Sequence, residues 1–161
     1  MANRDTLIAW LNDAHAMETQ LIPVLRNHAD DARDIPALKQ RFEQHISETE
    51  RHAERVRQAI ERLGTSPSTI KSTLGSLMGT VQGMSTGIFS DELVKDALAD
   101  YAAEQFEVAA YKALIAGAEE IGEPEVARLC RENLREDEDM ARFLDQQLPT
   151  VVHQTLQNAR A

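Results

Sequence analysis

The sequence contains few of the residues that stabilise small disulfide-linked proteins or form aromatic-rich cores. Its 161 residues include one cysteine, one tryptophan, two tyrosines and four phenylalanines. A single cysteine, Cys130, excludes a disulfide within the chain. Its apolar neighbours Val126, Leu129 and Leu134 favour a small core residue over a reactive thiol. The core must therefore be built mainly from aliphatic side chains.

Basic residues are also scarce, since 17 Lys and Arg face 27 Asp and Glu for a formal net charge of −10. Binding to nucleic acid takes most of its affinity from clustered Lys and Arg, so this balance argues against a nucleic-acid partner. The sequence shows no secretory leader and no apolar run of about 20 residues that could span a membrane. We expect a cytoplasmic protein without a membrane partner.

The residues that are abundant, Ala, Leu, Glu and Arg, are strong helix formers and predict an all-α fold. A length of 161 residues suits a single domain over 1–161, with a core that needs no disulfide. Proline, glycine and capping residues divide the chain into four long predicted helices. Their predicted ranges are 4–28, 35–63, 90–121 and 124–147, with Pro149 closing the fourth.

About 26 residues rich in Gly, Ser and Thr separate the second predicted helix from the third. Glycine recurs there at every fourth position, from Gly75 to Gly87. A flexible linker is one interpretation, but the interspersed apolar residues favour a short crossover helix after Pro67. A long connection between helices 2 and 3, with short ones elsewhere, is typical of a ferritin-like four-helix bundle.

Carboxylates interrupt the apolar seams of two predicted helices. At coiled-coil spacing Asp100, Glu104 and Glu107 fall on the inward seam of the third helix, and Glu18 falls on that of the first. An unpaired buried carboxylate costs several kcal/mol, so such a chain needs a compensating cation. A divalent metal is the strongest candidate, and the sequence therefore predicts a carboxylate-metal site.

The second helix places His45, Glu48 and His52 along one edge of its apolar stripe. Imidazole and carboxylate groups on consecutive turns suit iron or manganese. The alternative is a solvated edge, because this helix carries charges on all sides. We assign no role to His28 or His153, which lie far along the sequence from these groups.

Glu136 and Asp137 interrupt the stripe of the fourth helix. Met140 follows where a di-iron bundle often has histidine, and a thioether is a poor ligand for hard ferric iron. The fourth helix is therefore expected to contribute only carboxylate. Tyr111 and Tyr101, on or beside the seam of the third helix, are placed to hydrogen-bond a ligand carboxylate or to pack as core residues.

Four segments together resemble the YciE/YciF-type ferritin-like family of bacterial stress proteins, and the resemblance covers nearly the whole chain. They are Asp13-Ala-His-Ala-Met-Glu18, His45-Ile-Ser-Glu-Thr49, Ala103-Glu-Gln-Phe-Glu-Val-Ala-Ala-Tyr111 and Leu134-Arg-Glu-Asp-Glu. The resemblance implies a rubrerythrin-like bundle with a carboxylate-rich di-metal centre.

By matched position, the resemblance implies a set of metal ligands. The set comprises Glu18, Glu48, Glu107 and one of Glu136 and Asp137, with Glu104 and His52 as secondary candidates. The chain departs from many relatives in having Gln105 in place of histidine and Asp137 in place of glutamate. Because aspartate is one methylene shorter than glutamate, we expect Glu136 to be the ligand from the fourth helix.

The resemblance also implies an activity. We expect a di-iron protein that oxidises ferrous iron with oxygen or hydrogen peroxide, a ferroxidase of the stress response, assembled as a homodimer. Manganese is the alternative metal, and a manganese catalase-like enzyme is the alternative reaction. The alternative from another class is a metal-free helical stress protein that acts through partners.

Overall fold

The computed structural model describes residues 2–67 and 92–158, and every regular element among them is helical. The elements are α1 (Ala2–Asp31), a short 3-10 turn (Ala32–Asp34), α2 (Pro36–Arg62), α3 (Glu92–Glu120) and α4 (Pro124–Asn158). The all-α prediction is confirmed. The predicted crossover helix after Pro67 and the predicted start of the third helix at residue 90 lie outside the described residues.

Three of the predicted helix ends are confirmed. Pro36 occupies the first turn of α2, where the missing N–H removes no helical hydrogen bond. Gly64 and Gly122 follow the ends of α2 and α3 with φ of 76° and 74°, the left-handed conformation that terminates helices. The connection at Gly122 is short, so α3 and α4, which it joins, lie side by side.

The prediction that Pro149 closes the fourth helix is wrong, because α4 continues through Pro149 to Asn158. A proline inside a helix removes one backbone hydrogen bond. Contacts beyond it hold the last turns in place: Val151 is fully buried, and Gln154 donates from its side chain to the backbone oxygen of Asp34 at 3.1 Å. Tertiary packing here outweighs a local signal for helix termination.

Ion pairs between helices show in which direction each helix runs. At one end of the bundle, Glu123 at the start of α4 pairs with Arg4 at the start of α1 and with Arg62 at the end of α2. At the other end, His28 near the end of α1 contacts Asp96 near the start of α3. The end of α2 and the start of α3 therefore lie at opposite ends, so these two helices run in the same direction. This is the arrangement that the long connection between them predicts.

Two apolar clusters fill the bundle, one towards each end. The first contains Leu7, Leu11, Ala14, Val56, Ala59, Ile60, Leu63, Tyr111, Leu114, Ala118, Val126, Ala127, Leu129 and Cys130. The second contains Met17, Leu21, Leu25, Ala29, Ala32, Ile35, Leu38, Phe42, Val94, Ala97, Ala103, Met140, Leu144 and Val151. In α2, α3 and α4 the two sets are separated by about two to four turns, and buried polar residues occupy that interval. In α1 the two sets come within one turn of each other, and buried Glu18 follows directly after Met17. The burial of Cys130 is confirmed.

Within residues 2–67 and 92–158, no helix has the length and apolar character needed to cross a membrane.

Replacing Gly122 by Ala tests the helix terminator between α3 and α4. A Cβ there would meet nothing within 4 Å, so the effect should come only from the left-handed backbone. We expect Gly122→Ala to lower the free energy of unfolding by about 1 kcal/mol, or the melting temperature by about 2–4 °C. Gly122→Asn, the matched control, should lose less because Asn tolerates this conformation. Equal losses for Ala and Asn in a thermal melt would contradict the explanation.

Candidate metal centre

A layer of buried polar side chains separates the two apolar clusters. Its ionisable members are each no more than 5% exposed: Glu18, His45, Glu48, His52, Glu104, Glu107 and Asp137. Each of the four helices in the described part of the chain contributes at least one of them, at the same height in the bundle. The burial that the seam pattern predicted for Glu18, Glu104 and Glu107 is confirmed.

Among residues 2–67 and 92–158, two groups of three ligand-type side chains meet in this layer. Glu18, His52 and Asp137 form the first group, and His45, Glu104 and Asp137 form the second. Within each group, one atom of each residue lies within 4.8 Å of the others. Asp137 belongs to both groups, so its carboxylate lies between the two histidines. The arrangement has the donor types and the convergence that two cations with a shared carboxylate would require.

A hydrogen-bonded carboxylate orients His45 from outside the centre. The Nδ1 atom of His45 lies 2.9 Å from Glu48, and its Nε2 lies 2.8 Å from Glu104. Arg41 donates to Glu48 at 2.9 Å and Gln44 donates to it at 2.7 Å. The carboxylate of Glu48 is thereby fixed on the outer ring nitrogen of His45, and the inner nitrogen faces the centre.

An outer carboxylate also orients His52. In this residue Nε2 is the outer ring nitrogen and Nδ1 is the inner one. Its Nε2 lies 2.7 Å from Glu136, which also accepts a hydrogen bond from Arg55 at 3.0 Å. Its Nδ1 faces inward, 3.5 Å from Glu18 and 3.3 Å from Asp137. Metal-binding histidines usually donate their other ring N–H to a carboxylate in this manner.

Tyr111 connects the first group to the surrounding hydrogen bonds. Its hydroxyl donates to Glu18 and accepts from the side-chain amide of Asn133 at 2.9 Å. Asn133 also donates to the backbone oxygen of His52 at 3.2 Å. Burial, reinforced by the charge of Glu18, raises the pKa of Tyr111 well above its usual value, so the hydroxyl keeps its proton. Tyr111 can therefore hold Glu18 in one orientation.

The hydrogen bonds within the described residues leave several inward-facing atoms of this layer without a partner. They are Glu18 Oε2, His52 Nδ1, Glu104 Oε2, Glu107 Oε2 and both carboxylate oxygens of Asp137. Buried polar atoms are rarely left in this state, because each one costs about 1–3 kcal/mol or more. These atoms point into one region and offer oxygen and nitrogen donors, so the site fits a pair of divalent metal ions.

Protons must balance these charges in the metal-free protein. Burial, together with the charges of Glu18 and Glu104, raises the pKa of Glu107 well above its usual range. Burial also raises that of Asp137. For His45 burial alone would lower the pKa, but the neighbouring carboxylates outweigh it and raise the pKa to about 10. The layer therefore holds several protons that cations could replace.

The structure separates the residues predicted as ligands into three sets. Those that lie in the two three-residue groups are Glu18, His52, Glu104 and Asp137. Glu107 lies in the same buried layer with one unpartnered oxygen but belongs to neither group. Glu48 and Glu136 lie outside, on the outer nitrogens of the two histidines. The geometry thus favours Asp137 over Glu136 as the ligand-type residue of α4.

The sequence pattern indicated His45, with Glu48 and His52, as a possible metal-binding edge of the second helix, but the ligand set implied by the family resemblance did not include His45. The signal was present, because His45 and His52 are seven residues apart and lie on one face of a helix two turns apart. The sequence could not show that a carboxylate lies on the outer ring nitrogen of each histidine. These carboxylates are Glu48, from the next turn of α2, and Glu136, from α4.

Comparison with known proteins places the chain in a family. The model of the family described as "Domain of unknown function (DUF892)" matches residues 2–157. The crystal structure of the protein XCC3681 from Xanthomonas campestris is 30% identical with a TM-score of 0.85, over 100% of both chains. The Escherichia coli stress protein YciF is 26% identical with a TM-score of 0.79, over 94% of this chain and 97% of its own.

A bacterioferritin supports the fold alone. The Desulfovibrio desulfuricans protein, described with its diiron site, is 19% identical with a TM-score of 0.74, over 94% of this chain and 83% of its own. The ferritin-like bundle predicted from the sequence is confirmed by this likeness. Together with the family match, these findings show that the chain belongs to the DUF892 family, the YciF-type ferritin-like proteins.

Proposed function

We propose that the polar layer binds two divalent metal ions, with Asp137 as the carboxylate that they share. Glu18 and His52 would complete the site of one ion, and His45 and Glu104 the site of the other. The observation that carries the proposal is the sharing of Asp137 by two groups, each with one glutamate and one histidine. Glu107, in the same layer, adds a further carboxylate.

The proposal gives Glu48 and Glu136 a different role from the one implied by the family resemblance. Each would hold a histidine in place from outside instead of binding metal. Arg41 and Arg55 neutralise the two acids, and the pKa of both Glu48 and Glu136 falls to about 2 because hydrogen bonds to histidine and arginine outweigh burial. Charged at neutral pH, they keep the histidines oriented towards the centre.

Iron is the proposed native metal, and ferrous iron is the proposed substrate. When bound, the metal pair supplies the redox chemistry with oxygen or hydrogen peroxide. The side chains of the polar layer would supply the donors that hold the ions, and the apolar clusters on either side would keep bulk water out. Tyr111 would hold Glu18 in place. Support comes from the bacterioferritin, described with a diiron site, and from YciF, described as a stress protein. A cytoplasmic homodimer acting in the stress response is part of the proposal.

Replacing Asp137 by Asn tests the shared ligand. The amide keeps the shape of the side chain but loses the negative charge, so both ions should bind weakly. Titration of metal-free protein with Mn²⁺ should show two ions in the centre of the wild type and neither in Asp137→Asn. Glu138→Gln, one residue away and paired at the surface with Lys112, is the control and should keep both. Retention of both ions by Asp137→Asn would refute the assignment.

Glu136→Gln distinguishes an orienting residue from a ligand. The variant should keep both ions but bind them about 10–100-fold more weakly, the usual effect of losing a partner of a ligating histidine. The number of ions at saturation separates this result from that of Asp137→Asn. If Glu136→Gln lost an ion and Asp137→Asn did not, Glu136 would be the ligand, as the sequence first indicated.

Aerobic addition of ferrous salt tests the reaction. Fe²⁺ should be oxidised faster in the presence of the wild type than in buffer alone. With Asp137→Asn, the rate of Fe²⁺ oxidation should fall to that in buffer alone. Oxygen release from hydrogen peroxide by the manganese-loaded protein, without iron oxidation, would favour a catalase-like enzyme. A protein that takes up no iron or manganese after purification without chelator would favour the metal-free alternative.

The metal-free protein should become less stable as pH rises from about 4.5 to about 10. In this window the folded state holds more protons than the unfolded state, because folding raises the pKa of His45 and His52 to about 10 and raises those of Glu107 and Asp137. Thermal melts with chelator at several pH values should show this decline. Glu107→Gln should flatten it, because the amide cannot lose a proton. A melting temperature that rises with pH over this range would contradict the charge balance described for the layer.

A further inference from the structure

A second cluster of buried ionisable groups lies at one end of the bundle, apart from the central layer. His28 of α1 is 5% exposed, and Asp96 and Asp100 of α3 are 6% and 3% exposed. From the sequence we assigned no role to His28, so this cluster was not predicted. Sequence separation is a poor guide here, because the antiparallel packing of α1 and α3 brings residues 72 positions apart into contact.

The imidazole of His28 lies between the two aspartates. Its Nδ1 is 2.8 and 2.9 Å from the two carboxylate oxygens of Asp100. When Asp100 is ionised it only accepts hydrogen bonds, and Nδ1 of His28 then carries the hydrogen. The opposite nitrogen, Nε2, is 3.3 Å from Asp96. Asp100 thus orients the ring and leaves Nε2 beside the carboxylate of Asp96.

This end of the bundle is open to an acidic cleft of about 410 Å³. The described residues that line it are Asn27, His28, Asp30, Asp31, Glu92 and Asp96, which include four carboxyl groups and no Lys or Arg. Such a cleft attracts cations, but an acidic surface alone does not make a binding site.

Asp96 provides a second observation, independent of the acidic surface, that points to a bound cation. It lines the cleft, it is nine-tenths buried, and its Oδ2 has no hydrogen-bond partner. A buried carboxylate oxygen without a partner is unfavourable unless a cation or proton binds it.

We propose that His28 Nε2 and the Asp96 carboxylate bind a divalent metal ion at this cleft, separately from the central layer. The arrangement of Asp100, His28 and the ion would be the same as that of Glu48, His45 and the central ion: a carboxylate on one ring nitrogen and a metal on the other. Imidazole with carboxylate suits Mn²⁺, Fe²⁺ or Zn²⁺. Asp30, Asp31 and Glu92 would supply charge at the cleft and further oxygen donors through water.

Titration with Mn²⁺ tests this site. Metal-free wild type, Asp96→Asn and Asp139→Asn should be compared, since Asp139 is an exposed aspartate far along α4 that pairs with Arg142. We expect Asp96→Asn to bind one ion fewer than the wild type, and Asp139→Asn to bind the same number. Equal numbers and affinities for all three proteins would overturn the proposal. An equal weakening in both variants would indicate general attraction to negative charge and would also overturn it.

Three further variants keep the test independent of the central site and of folding. Asp137→Asn should keep the cleft ion while it loses the central ones, so failure at one site is distinguishable from failure at the other. His28→Gln, with thermal melts to show that it is folded, should lose the cleft ion alone. Asp100→Asn, which alters only a positioning residue, should lower affinity at the cleft about 10–100-fold and leave that of the central layer unchanged.

A crystal grown with Mn²⁺ gives a result that depends on no variant. The anomalous signal should include a peak within bonding distance of both His28 Nε2 and Asp96. Peaks confined to the central layer, with none at the cleft, would overturn the proposal.

Discussion

The structure depends on one constraint, the burial of several carboxylates half-way along an apolar bundle. Four of them, Glu18, Glu104, Glu107 and Asp137, are no more than 2% exposed. A bundle of this length could bury aliphatic side chains at those positions and avoid the cost. The remainder of the layer is arranged to hold this charge, with two histidines facing inward, each fixed by an outer carboxylate. In the proposed function, bound cations would offset the cost of burying this charge.

Much of this could be predicted from the sequence, because helix periodicity shows which face a residue occupies. The seam spacing placed Glu104 and Glu107 inward, and Gly64 and Gly122 marked helix ends. Periodicity does not show which partner a side chain finds across the bundle. It therefore could not decide between Glu136 and Asp137, adjacent on α4, of which one bonds His52 from outside and the other lies within the centre.

The features missed from the sequence are those produced by packing between helices. Pro149 indicated a helix end, but the burial of Val151 beyond it keeps α4 intact. His28 had no neighbour in sequence to suggest a role, yet α3 places Asp96 and Asp100 on either side of it. Both cases concern contacts between residues distant along the chain, which no local pattern contains.

In the proposed centre, two ions lie on either side of Asp137, one beside His45 and the other beside His52. Anomalous scattering from a crystal of the iron-loaded protein tests it most directly. Two peaks are expected in the middle of the bundle, on either side of the Asp137 carboxylate: one near His45 Nε2 and the other near His52 Nδ1. No peak in this layer, or peaks bonded to Glu48 and Glu136 instead, would contradict it.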